Sequence, residues 1–306
     1  MSADDDGHLS DARIGRIALR VADFDETAAF YRDVVGLAVL DREGDAVVFG
    51  IGETPLLRVR RAPDVPERAP TDAGLFHAAF RVPSRAALGE ALSRVRDRWR
   101  LDGASDHRVS EALYLADPEG NGVEIYRDRP RAEWPTEADG SVAMTTEPLD
   151  LDAVAAAAET RGDSGDATPA DAPGAGSIPV DRVPPGTDVG HVHLEVASLD
   201  AFESAYVDGL GFEVRQAAPD VRFVAADGYH HVGANTWRGR TTPATGRGLD
   251  WFEVVVPDAA ALAAVRERLD AVADATTGET EFAVDDTDDG IALTDVDGIK
   301  VRIRTE

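Results

Sequence analysis

The sequence predicts an α+β fold assembled from four βαβββ modules, and three observations carry that prediction. Residues 14–37, IGRIALRVADFDETAAFYRDVVGL, align without a gap on residues 189–212, VGHVHLEVASLDAFESAYVDGLGF, at an offset of 175. Residues 74–92, GLFHAAFRVPSRAALGEAL, align on residues 248–266, GLDWFEVVVPDAAALAAVR, at an offset of 174. Each of these stretches reads as an alternating strand, a polar or Pro turn and a short amphipathic helix, and β-rich sequence follows each one.

The first module spans 14–61: its helix stops at Gly36, and AVVFGI (46–51) and PLLRVR (55–60) supply later strands. The second spans 74–128 and closes with ALYLADPEGNGVEIY (112–126). The third, 189–237, repeats the first, with a helix stop at Gly211 and strands VRFVAA (221–226) and HHVGANTW (230–237). The fourth, 248–304, closes with ALTDVDGIKVRI (292–303). Chain order then predicts a disordered tail over 1–13, a first domain over 14–130, a linker over 131–187 and a second domain over 188–306. Within the linker, DLDAVAAAAETRGDSGDATPADAPGAGS (150–177) opens as a short helix and continues as solvated, partly disordered chain.

Charge narrows the partners. With 58 Asp+Glu against 31 Lys+Arg the formal charge is −27, which argues against nucleic acid as a partner, because a phosphate backbone needs a basic face. No run of roughly 18 apolar residues suits a membrane span. There is no Cys, so a metal must be held by His and carboxylate, and only seven His are available. Lys300 is the sole lysine. An acidic, Lys-poor, Ala/Asp/Gly-rich chain is expected in a high-salt cytoplasm, where a Debye length of roughly 3 Å at 1 M salt screens self-repulsion. MSADDDGHLSD at the N-terminus has no apolar core and is not expected to be a signal peptide.

Three further stretches are informative together: DHRVSEALYLADPEGNGVEIYRDRPRAEW (106–134), GHVHLEV (190–196) and GYHHVGANTW (228–237). With the four modules they resemble the vicinal oxygen chelate superfamily of glyoxalases, bleomycin resistance proteins and extradiol dioxygenases. Together they look like its two-domain catechol 2,3-dioxygenase branch. The resemblance implies two domains of curved, mostly antiparallel sheets, and metal ligands drawn from the first and last strands of modules. It further implies two His and one Glu on Fe(II), with Mn(II) as a substitute, and open positions for a small aromatic diol and O₂. The product would be a 2-hydroxymuconic semialdehyde. Alternatives within the superfamily are a glyoxalase-like isomerase or lyase using Zn or Ni with four ligands, and a non-catalytic binding or resistance protein. Homo-oligomerisation is left open.

On this resemblance the first-strand positions are Arg16, His77, His191 and Trp251, and the last-strand positions are Glu124 and Arg302. Arg and Trp cannot hold a divalent ion, so the expected ligands are His77, Glu124 and His191. Only pairing the second module with the third assembles all three. Adjacent pairing would leave His77 with Glu124 in one site and His191 by itself in another. His193 shares the face of His191 and is the alternative third ligand. His230 and His231 are the candidates for a catalytic acid–base, and Tyr126, two residues after Glu124, for a substrate contact. Asn235 is a candidate pocket residue, His107 lies either at the pocket or on a surface loop, and His8 falls in the tail.

Overall fold

A computed structural model of the chain describes residues 9, 11–136, 142–163, 182–227, 230–275 and 282–306. All four βαβββ modules are present. The first comprises β1 (Arg13–Val21), α1 (Phe24–Phe30), β2 (Ala38–Glu43), β3 (Ala46–Ile51) and β4 (Thr54–Arg61). The second comprises β5 (Gly74–Arg81), α2 (Arg85–Arg98), β6 (Gly103–Asp106), β7 (Ser110–Ala116) and β8 (Gly122–Asp128). A short β9 (Glu147–Pro148) and α3 (Leu151–Asp163) follow. The third module holds β10 (Asp188–Glu195), α4 (Leu199–Glu203), β11 (Glu213–Ala218), β12 (Val221–Ala225) and β13 (Val232–Asn235). The fourth holds β14 (Gly248–Val256), α5 (Ala259–Ala275), β15 (Phe282–Thr287), β16 (Gly290–Asp295) and β17 (Lys300–Thr305).

Local chemistry explains the helix limits. Ser84 and Ser198 cap α2 and α4, their hydroxyls accepting from Ala87 N–H (3.1 Å) and Ala201 N–H (3.2 Å). The helices of the first and third modules run into π-helical turns at Tyr31–Val35 and Ser204–Gly209. Gly36 closes the first turn at φ 93°, a conformation few other residues adopt. The turns hold Tyr31 and Tyr206 inward, and each hydroxyl donates to a buried carboxylate, Asp117 and Asp295, at 3.2 Å.

Hydrogen bonding orders the strands into two sheets, β15-β16-β17-β14-β1-β4-β3-β2 and β11-β12-β13-β10-β5-β8-β7-β6-β9. The first sheet therefore joins strands of the first and fourth modules, and the second joins strands of the second and third. In three modules the first strand lies parallel to the last: β1 with β4, β10 with β13, and β14 with β17. β1 also runs antiparallel to β14, from Arg13 opposite Val255 to Arg20 opposite Gly248.

By compactness the chain divides into residues 1–22, 57–78 and 189–306 on one hand, and 23–56 and 79–188 on the other. The first unit buries Ile17, Leu19, Leu57, Val192, Leu194 and Phe252. The second buries Tyr31, Phe49, Phe80, Leu88, Leu113 and Ile125. In that second unit α3 is docked rather than free. A Cβ added at Gly89 of α2 would fall 2.4 Å from the Val154 carbonyl oxygen, so glycine permits the approach. The linker residues 164–181, the tail residues 1–8 and His8 with them lie outside the described residues. Among the described residues no helix is long and apolar enough to cross a membrane.

Candidate metal centre

β10, β5 and β8 are consecutive in the second sheet, and they carry His191, His77 and Glu124 respectively. All three side chains are buried. The two imidazole Nε2 atoms stand 3.2 Å apart. One ligand atom from each of the three residues lies within 4.8 Å of the others. Removing a carboxylate from water is costly unless a cation or strong donors compensate. Two imidazole nitrogens converging beside that carboxylate form a donor set that fits a divalent transition metal. Three ligands leave coordination positions open.

The other histidines fall into distinct roles. His193 Nε2 accepts from Asn235 Nδ2 at 3.1 Å, and His193 is not part of the convergent group. Asn235 is wholly buried, donates also to the Leu194 carbonyl (3.2 Å) and accepts from Trp237 N–H (3.2 Å). The His193 ring sits 4.9 Å from that of His77, 5.0 Å from Phe76 and 5.5 Å from Phe223, as part of an aromatic wall. β13 begins at Val232, so His230 and His231 precede the strand rather than alternating along it. Their surroundings separate them. The ring of His230 lies 4.1 Å from that of His191 and 5.0 Å from Phe223. His231 turns to its own loop: Nδ1 accepts from Ala226 N–H at 3.2 Å, and Nε2 lies 3.6 Å from Asp227.

On the β7–β8 hairpin Tyr114 stands directly opposite Glu124 and Ala112 opposite Tyr126, so these four share a face. Tyr126 is buried, and its phenol is raised well above its ordinary pKa, first by burial and then by the charge of Asp128. It stays protonated. His107 is not a free surface residue. Its Nδ1 lies 2.7 Å from the Thr145 carbonyl, which can only accept, so Nδ1 carries the proton. Nε2 is thereby the acceptor for the Tyr114 hydroxyl at 2.8 Å. Sequence reasoning passed over Tyr114. Folding ALYLADPEGNGVEIY about its 117–121 turn would have placed it against Glu124.

That turn is fixed by Asp117, whose carboxylate accepts from Glu119 N–H (2.9 Å), Asn121 N–H (2.8 Å) and Asn121 Nδ2 (2.9 Å). Burial pushes Asp117 up to about 6 against those hydrogen bonds. Its counterpart in the fourth module, Asp295, accepts from Ile299 N–H at 2.9 Å and is pushed by burial up to about 7.

The equivalent positions of the first sheet also converge, on different chemistry. The guanidinium carbon of Arg302 lies 4.1 Å from the Trp251 ring centre and that of Arg16 lies 5.6 Å from it. Glu253 takes Arg16 at 2.7 Å and Arg304 at 3.3 Å. Burial raises the Glu253 carboxyl, but the hydrogen bonds and charge of Arg16 outweigh it and hold the group below its ordinary pKa.

Four βαβββ modules in two sheets, with a buried His–Glu–His group in one of them, define a chain of metal-binding type. The family model described as "Glyoxalase/Bleomycin resistance protein/Dioxygenase superfamily" matches residues 13–125. The catechol-2,3-dioxygenase of Bacillus subtilis (strain 168) is 34% identical over 295 residues, covering 93% of this chain and 94% of that one. Among solved structures, glyoxalase I from Zea mays superposes with a TM-score of 0.56 at 14% identity, covering 96% of this chain and 92% of that one. The cppA protein from Streptococcus pneumoniae TIGR4 superposes with a TM-score of 0.57 at 10% identity, covering 98% and 99%. The chain belongs to the glyoxalase/bleomycin resistance/dioxygenase superfamily, and the expected α+β architecture is the one observed.

Proposed function

We propose that the protein is an extradiol dioxygenase, with Fe(II) held by His77, Glu124 and His191. O₂ is inserted into a catechol-type diol to give a 2-hydroxymuconic semialdehyde. The observation that carries this reading is the convergence of one carboxylate oxygen and two imidazole nitrogens within 4.8 Å. The 34% identity to a catechol-2,3-dioxygenase across nearly the whole of both chains supports it. Three ligands rather than four favour ring cleavage over a glyoxalase-like isomerisation among the described residues.

Held by these three residues, iron would bring the diol and O₂ together and let electron density pass between them. The protein does the rest. His230, packed on His191, accepts a proton from the diol at a ring nitrogen and returns it as the ring opens. Tyr114, oriented by His107 Nε2, and the protonated phenol of Tyr126 present hydroxyls on the Glu124 face to the substrate oxygens. Phe223 and His193 wall the pocket and limit water. His231 supports the loop that carries His230. Both atoms of O₂ remain in the product and one ring C–C bond beside the diol breaks, so no outside reductant is needed. The composition supports a high-salt cytoplasm as the setting.

The test is anaerobic reconstitution with Fe(II), exposure to air and a panel of catechols, followed by absorbance. A yellow ring-fission product with O₂ uptake in equal amount is expected. Rearrangement of a hemithioacetal, without O₂ uptake and with Zn or Ni loaded, would replace the reading with the isomerase.

A further inference from the structure

Glu195 follows His191 and His193 at two-residue steps along β10 and so shares their face. It is 1% exposed, and three guanidiniums surround it. Arg68 bonds it through Nη2, Arg240 Nη2 lies at 2.8 Å and Arg238 Nε at 3.4 Å. One carboxylate offsets one of these charges, leaving two positive charges in a chain whose formal charge is −27. The pKa of Arg68 is lowered, first by burial and further by the charges of Arg240 and Arg238.

The three arginines are not equivalent. Arg68 also donates to the Leu75 carbonyl (2.5 Å) and the Asp72 carbonyl (3.1 Å), and Arg240 donates to the Pro70 carbonyl. Both are fastened to backbone. Arg238 has a 62% exposed side chain, and its guanidinium carbon stands 5.4 Å from the Phe76 ring centre. Phe76 in turn lies 5.2 Å from the ring of His77. Trp237, 50% exposed, lies 5.5 Å from Phe76 and 5.6 Å from His193. Arg238 is therefore one aromatic ring removed from a proposed ligand, and faces solvent.

We infer that Arg238, with Phe76 and Trp237, selects aromatic diols that carry a carboxylate on a ring substituent; this rests on the ring-cleavage reading. A substituent reaching past Phe76 meets a guanidinium whose planar fork can pair a carboxylate through two hydrogen bonds. The surplus of positive charge draws an anion to a site that the net charge of the chain would otherwise repel. Phe76 and Trp237 flank the substituent and carry no competing charge.

The experiment compares (3,4-dihydroxyphenyl)acetate with 4-methylcatechol on the iron-loaded full chain, reading kcat and KM for each. The native protein should favour the acid by about tenfold or more in kcat/KM, the size of one charge-assisted hydrogen bond. R238Q should remove that preference through the KM of the acid, R238E should reverse it, and R238K should keep part of it. Equal kcat/KM for the two diols in the native protein, or a preference that survives R238E, overturns the selection and leaves ring cleavage standing. If neither diol is cleaved, ring cleavage falls, and the selection falls with it.

Discussion

In the first sheet the repeat positions hold Arg16, Trp251 and Arg302; in the second they hold His191, His77 and Glu124. Side chains converge in both places. In one, two guanidiniums lie over an indole at 4.1 and 5.6 Å, and in the other two imidazole nitrogens stand 3.2 Å apart beside a carboxylate. A divalent ion entering the first would meet two like charges. Entering the second, it would meet two imidazole nitrogens and a carboxylate oxygen. The module supplies convergence, and residue type decides whether the convergent group could hold a metal or forms a cation–π stack. A module position without a metal ligand need not leave a hole, because arginine can occupy the volume with its stem and satisfy its charge on Glu253.

The largest effects are expected at the ligands. His77→Ala, His191→Ala or Glu124→Ala should each abolish ring cleavage and lower bound iron to a small fraction of one per chain, read by elemental analysis. Iron retained in all three variants would sever the triad from the metal. His230→Ala should keep its iron and lose about 10²–10³-fold in kcat, while His231→Ala should lose far less. Equal rates in both variants would remove the acid–base role from His230.

On the other side of the comparison, Trp251→Ala should leave iron content unchanged. It should lower stability by about 3 kcal/mol through lost burial, measured by denaturant unfolding. A fall in iron content would mean that the first sheet is not inert.

Much of this was legible in the sequence. Period-two alternation and the repeat offsets located the strands closely, β3 at Ala46–Ile51 among them. Equating module positions brought out His77, Glu124 and His191 because the alternatives were Arg and Trp. What stayed hidden depends on register or on distant contacts. Tyr114 needs the hairpin pairing with Glu124. His230 and His231 differ only because the loop before β13 gives one to His191 and the other to Ala226 N–H. The π-helical turns that hold Tyr31 and Tyr206 have no local composition signal. The arginines on Glu195 come from residues 68, 238 and 240, which only folding brings together.

Smaller effects sharpen the picture of the frame. Asp295, pushed up to about 7 by burial, has an ordinary pKa near about 4 when unfolded. Between those values the folded chain keeps a proton that the unfolded chain has lost. Its contribution to stability is therefore full below about pH 4 and is lost as pH rises through about 7. Asp295→Asn should flatten the decline of Tm between about pH 5 and pH 8, and an unchanged slope would contradict the assignment. Finally, Tm should rise between about 0.1 M and 2 M KCl as the −27 charge is screened. A flat or falling Tm would count against adaptation to high salt.

Anomalous diffraction at the iron edge, on crystals of the iron-loaded protein, tests the centre most directly. One strong peak per chain is expected, within about 2.0–2.3 Å of a nitrogen of His77, a nitrogen of His191 and a carboxylate oxygen of Glu124, with no peak at Trp251. A peak bound by His193 in place of His191, or lying nearer Arg16 and Arg302 than His77, would contradict it.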